Sequence, residues 1–351
     1  TGGPVRDFVK SIVVEDSVDA VNMRFWFSTM KNLSDVSSVQ VPDGVTDIEA
    51  MFAASGIRQV PDTLVLHDGI TNLRRLFMEC AQLESFPAYF NLPAAAVNFE
   101  AMFASCESLV KLPDNFSLPT SVEKCGSLFS GCRSLEYLPE GFKLPQSVVD
   151  GTGFNNMFWE CNSLKALPSG MSMDGCDESV TYLNGMFVNC KSLKELPTSF
   201  RLPPYVKEMV SVFRGCSALA SLPDGFTIPG GAKDLQTVFK DCTSLVSLPD
   251  SFEFSTSPAA TTNMFLVEGT DQAIPMYYNG PDQRVKNYPW ANSNRFLVTP
   301  SVEQEGVKTV MLNIKERGEV GAGLTWTRLH TDASGKLAEP VSYTHLTLPT
   351  K

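Results

Sequence analysis

Apolar residues return along this chain in one phrase: an aromatic, two residues, cysteine or a substitute, two residues, leucine, two residues, an apolar residue and proline. Eight copies run from Met51 to Pro249, and a worn ninth begins at Met264. Their anchors are Phe52, Phe77, Phe103, Phe129, Phe158, Phe187, Phe213, Phe239 and Phe265, at intervals of 25, 26, 26, 29, 29, 26, 26 and 26 residues. A fixed period of this size marks one supersecondary unit per copy, and a unit that short cannot close a core alone. Neighbours must close it, so stacking sets Phe over Phe, Cys over Cys and Leu over Leu along one axis. At sheet spacing of roughly 4.8 Å between coils, nine of them form a rod or shallow arc of about 40 to 45 Å.

The unit from Met102 to Leu128 shows what each coil is expected to contain. Phe103, Cys106, Leu109 and Leu112 keep a three-residue rhythm, read as a short helical turn running into an extended stretch that Pro113 ends. Asp114 and Asn115 supply turn chemistry. Phe116 and Leu118 alternate about Ser117 as a short strand does, and Val122, Cys125 and Leu128 are spaced as a helix. The predicted fold is an α/β solenoid of short parallel strands and helical or 3₁₀ return segments, right-handed because such crossovers almost always are.

The pattern F-x-x-C-x-S-L-x-x-L-P followed by x-L-P-x-S-V resembles the BspA-like leucine-rich repeats of bacterial surface proteins and the related surface-protein repeat of about 26 residues. The likeness covers roughly Phe27 to Phe265 and implies a leucine-rich-repeat-like solenoid. Three departures stand out: Ser55 where Cys is expected, three extra residues in each of two units, and a ninth unit without its Cys and Leu. A degenerate last copy suits a coil that turns one face to water.

Length would divide 351 residues into two or three domains, but the repeat overrides that prior. Residues 1–50 are taken as an N-terminal cap and first coil, 51–270 as the repeat array, 271–299 as a C-terminal cap and 300–340 as the start of a small β-rich module. In that module GLTWTRLHTDASGKLAEP resembles a Listeria-Bacteroides type β-grasp repeat, which accompanies leucine-rich repeats in internalin-like surface proteins. Residues 341–351, VSYTHLTLPTK, resemble a translated sequencing adapter and are set aside as an artefact. The chain opens at Thr1, which fits either a processed signal peptide or a fragment. A formal charge of -11 argues against nucleic acid as a partner. No run of about 20 uninterrupted apolar residues is present to span a bilayer.

Seven cysteines, Cys80, Cys106, Cys132, Cys161, Cys190, Cys216 and Cys242, share one column. Buried thiols used as core packing are the favoured reading, with occasional bridges or a metal as alternatives. Acids follow the repeat proline at Asp62, Asp114, Glu140, Asp224 and Asp250. Turn chemistry explains them more economically than calcium, which needs several oxygens converging on one point. The side chains interleaved with the buried Leu and Phe make the candidate interaction face: Lys111, Tyr137 and, beside them, Lys165 and Lys194, with Lys143 and Arg201 in a parallel column. Tyr137 and Arg201 belong to the residue types that dominate recognition hot spots. The two insertions, before Phe158 and before Phe187, are expected to make one bulge. Tyr277, Tyr278, Tyr288 and Trp290 either cover the open end of the array or contact a carbohydrate or protein.

Catalytic constellations are scarce. The three histidines are His67, in a turn beside Asp68 and Gly69, His330 in the broken module and His345 in the terminal stretch. No phosphate-binding, nucleophile-elbow or zinc-protease motif occurs. The expectation is a non-enzymatic protein without cofactor or metal that binds a protein partner, host or extracellular matrix among the candidates, from a cell-surface or extracellular position. A passive spacer and an intracellular scaffold remain the alternatives.

Overall fold

The computed structural model describes residues 6–13, 20–245, 247–249, 252 and 260–267, and four short strands after them. Of these, β1 (Met276–Tyr278) pairs in parallel with β2 (Phe296–Val298), and β3 (Trp326–Arg328) pairs antiparallel with β4 (Val341–Tyr343). Apart from the strands, the expectations for 271–299, 300–340 and 341–351 lie outside the described residues, as do Asp250, Tyr288 and Trp290.

Successive repeats lie on one another in register. Parallel bridges join Asn22, Asp47, Asn72, Asn98 and Lys124 in order, and join Tyr182, Glu208, Asp234 and Ala260 in the same way. From each bridge a short ribbon carries the chain past the anchoring Phe. In it, the N–H groups of Ile48, Ala50, Phe52 and Ala54 donate to the carbonyls of Asn72, Arg74, Leu76 and Met78 in the next coil, at 2.7–3.1 Å. The intervening N–H groups of Met51, Ala53 and Ser55 fold back on the carbonyl three residues earlier. Every second peptide therefore points along the stack and the others close turns within the coil.

This ribbon differs from the helical segments that the three-residue rhythm predicts; the described coil residues form turns there. The reason is a left-handed residue two before and two after each Phe from Phe27 to Phe239, as at Ala50 and Ala54, Arg75 and Glu79, Ala101 and Ser105, and Ser211 and Gly215. A non-glycine residue in that conformation costs roughly 1–2 kcal/mol, and here each such residue sends its N–H to the neighbouring coil, so stacking offsets the cost. A helix and a run of turns share i to i+3 spacing, and periodicity alone cannot part them.

The core is the set of columns that the repeat implies. Ring centroids of consecutive anchors, from Phe27 through Phe265, lie 5.4–5.8 Å apart. Beyond the first pair their planes are within 14° of parallel. Leu83, Leu109, Leu135, Leu164, Leu193, Leu219 and Leu245 are fully buried beside them. A second aromatic column includes Phe116, Phe142, Phe226 and Phe252, with Met171 at the same place in the inserted coil. Arg6 reaches the first coil and donates to the Ser28 carbonyl at 2.5 Å, so the N-terminal segment covers that end.

The insertions leave the Phe column unbroken: Phe129 to Phe158 is 5.6 Å and Phe158 to Phe187 is 5.4 Å. They are absorbed on the far side. There the Cys125 thiol donates to Gly153 O at 3.1 Å, and the Tyr182 N–H reaches Gly151 O at 3.0 Å. No helix among the described residues is long and apolar enough to cross a membrane.

Candidate interaction face

The two residues after each column leucine turn their side chains outward between two buried leucines, as between Leu109 and Leu112, Leu135 and Leu138, Leu164 and Leu167, and Leu193 and Leu196. Backbone bonds set these positions in a line: Glu136 N–H to Val110 O at 2.9 Å, Lys165 N–H to Glu136 O at 3.0 Å and Lys194 N–H to Lys165 O at 3.4 Å. Lys111 and Tyr137 form a parallel bridge one residue on. Lys111, Tyr137 and Lys194 are exposed, and Val110 beside them is 46% exposed. Lys165 lies with its Nζ 5.1 Å from the centre of the Tyr137 ring and 2.5 Å from Glu136 Oε2. That hydrogen bond to the carboxylate, above all, raises the lysine's pKa. The outcome is a tyrosine with one lysine fixed over it and two further lysines in adjoining coils.

Lys143 and Arg201 occupy the second column, with Ser172 between them. The Arg201 N–H donates to Ser172 Oγ at 3.2 Å. Lys143 is exposed. Arg201 is differently employed: its guanidinium donates to Thr198 O at 2.9 Å and Phe200 O at 2.8 Å, fastening its own turn. The six predicted residues thus fall into one tract (Lys111, Tyr137, Lys165, Lys194) and one separate column (Lys143, Arg201).

All nine cysteines are buried thiols. Each column cysteine donates its S–H to the Phe carbonyl of the preceding coil, from Cys80 on Phe52 to Cys242 on Phe213, at 3.0–3.2 Å. A small apolar group with one weak donor fits that place. Burial pushes Cys80 up to about 11 and Cys132 up to about 12, which disfavours the thiolate needed for metal binding or nucleophilic attack. Ser55, in the same column, meets Cys80 Sγ at 3.5 Å.

The remaining candidates are turn elements. His67 has its Nε2 2.9 Å from Pro42 O, and its Nδ1 accepts the Gly69 N–H at 3.1 Å. Glu140 accepts from the N–H and hydroxyl of Ser169 in the next coil, and these bonds hold its carboxyl below the usual range. Among the described residues, no group of three or more His, Cys, Asp or Glu is placed to hold a metal ion. Sequence reasoning missed an ion-pair ladder three residues before the anchoring Phe. Glu49 contacts Arg24 at 2.7 Å and Arg74 at 3.1 Å, and Arg74 contacts Glu100 at 3.0 Å. Alternating charge at one repeat position was the available signal.

A family model described as Mycoplasma protein of unknown function, DUF285, matches residues 21–142, 66–170 and 152–274. Together the matches cover well over half of the chain and coincide with the stacked coils. No curated protein and no solved structure matches it.

Proposed function

We propose that this chain, which belongs to the DUF285 family, is a non-enzymatic bacterial surface or secreted protein that binds a protein partner through its stacked coils. In finer terms the array is read as a right-handed, BspA-like leucine-rich-repeat solenoid. Tandem family matches support a repeat protein of surface type. The observation that carries the binding role is the tract from Lys111 to Lys194, where in-register stacking sets a half-exposed tyrosine among lysines from three further coils. Tyrosine offers large contact area at low entropic cost, and rim charges steer association.

The test is solid-phase binding of the whole chain to host matrix proteins (fibronectin, laminin and collagen), comparing wild type with Tyr137→Ala/Lys111→Ala/Lys194→Ala. A loss of tenfold or more, with the thermal unfolding midpoint unchanged, supports the tract. Equal binding by the triple variant rejects it, and no binding by wild type returns the chain to the spacer reading.

A further inference from the structure

We propose that the open groove crossing the three coils around Lys143 is a binding site for a neutral oligosaccharide. The groove holds about 630 Å³, within the roughly 300–1,000 Å³ of small-molecule sites. It lies on the second column, and none of the tract residues Lys111, Tyr137, Lys165 and Lys194 lines it.

The second insertion shapes it. Where coils on either side place Pro119, Pro145 and Pro203, the inserted coil has Asp174 followed by Gly175. Gln146 lies so close to Gly175 that a Cβ there would fall 2.3 Å from its Nε2, so a larger residue would make the amide shift from its place in the groove wall. Ser172, another lining residue, is held by the Arg201 N–H. At Gly141 and Gly170, in successive coils, nothing lies within 4 Å of an added Cβ, so the backbone of both turns is open to the groove.

The lining selects the ligand by chemistry. Ser117, Thr120 and Gln146 both donate and accept, Lys143 only donates and Asp174 only accepts. Sugar hydroxyls do both at a single atom and match such a mixture. Tyrosine, tryptophan and phenylalanine are absent from the lining, which disfavours a hydrophobic ligand and means that a sugar is held here through its hydroxyls rather than by stacking on a ring. One lysine against one aspartate leaves little net field for a polyanion or polycation.

Saturation-transfer NMR on the whole chain, with maltotetraose, cellotetraose and tetra-N-acetylchitotetraose as probes, tests the site. At least one probe is expected to receive transfer, and Gly141→Trp and Gly170→Trp are each expected to reduce it tenfold or more by filling the groove. Gly44→Trp, in an early coil outside the groove and equally free of neighbours within 4 Å, is expected to leave it unchanged. Matching thermal midpoints for the three variants exclude misfolding as the cause. Transfer to none of the probes, or equal transfer in wild type and both groove variants, overturns the proposal. Stronger transfer to tetra-aspartate, competing for the same groove, overturns the choice of a neutral sugar.

Discussion

The coils between Phe77 and Phe142 and those between Lys143 and Phe187 follow one rule inside and two outside. In the first region the repeat holds at 26 residues, and the ribbons of Phe77 and Phe103 are each bonded to the next by four N–H groups, as from Phe99, Ala101, Phe103 and Ser105. In the second the period stretches to 29 residues, the bridge column stops at Lys124 and resumes at Tyr182 among the described residues, and three ribbon bonds join Asn156, Phe158 and Glu160 to the next coil. Yet ring spacing, thiol bonds and leucine burial are the same in both. The Phe, Cys and Leu columns define where a coil sits, and the far wall is free to take other chemistry, which is where the groove lies.

If the interior rule is common to both regions, Phe129→Ala and Phe158→Ala should be equally harmful. Each ring is fully buried between two others, and removing one is expected to cost about 3–5 kcal/mol. Urea unfolding of the two variants measures it. A loss below about 1 kcal/mol at Phe158 alone would show that the inserted coils carry a looser core.

The left-handed positions sharpen the comparison at the next level. Gly185 has φ +68°, and an added Cβ would lie 2.3 Å from Asn156 Oδ1 of the previous coil. Gly185→Ala should cost about 1–2 kcal/mol, and Asn156→Ala in the same chain should recover part of it. A double-mutant cycle reads the coupling, and additive losses would place the penalty in the backbone conformation alone.

How much of this was legible in the residues varies with the kind of bond. Phe103 over Phe129, and Cys132 beneath the same column, follow from the period, because identical side chains at a fixed interval have one economical arrangement. The ribbon was not legible: Phe103, Cys106 and Leu109 are spaced as a helix, and the left-handed Ala101 and Ser105 carry no glycine to announce them. At the site, the tract of Lys111, Tyr137, Lys165 and Lys194 was readable from outward positions beside buried leucines. The employment of Arg201 by its own turn was not, since it depends on local carbonyl geometry. Gln146 against Gly175 was hidden for a related reason: both follow the same turn position in successive coils, but the approach of the amide to the glycine depends on local geometry.

The regions also differ in what joins coils at the position three before Phe. Early coils use Arg24, Glu49, Arg74 and Glu100, and later ones use Asn155 and Asn184, whose Oδ1 atoms accept the N–H groups of Asn184 and Val210 at 2.8 and 2.9 Å. Glu49→Gln is expected to cost about 1 kcal/mol, held down because Arg24 is 45% exposed and screened by solvent. Asn184→Ala should cost about the same through a lost hydrogen bond. Raising the salt to 1 M should shrink the first effect and leave the second. Equal salt dependence in chemical unfolding would remove the distinction.

The smallest effect concerns the two insertion turns in acid. Asp150 is held below its ordinary pKa of 3.8 by hydrogen bonds from Thr152, and Asp177 likewise by Ser179. A carboxyl with a depressed folded pKa adds stability that is fully present above its ordinary value and is lost as pH falls through the folded one. Wild type should therefore lose thermal stability below about pH 4, part of it through these turns. Asp150→Asn/Asp177→Asn should start lower at pH 6 and fall less steeply toward pH 2. Thermal midpoints across that range measure the difference, and parallel curves for the two proteins would move the acid sensitivity out of the inserted coils and into carboxylates such as Asp35, whose pKa Ser37 lowers in the same way.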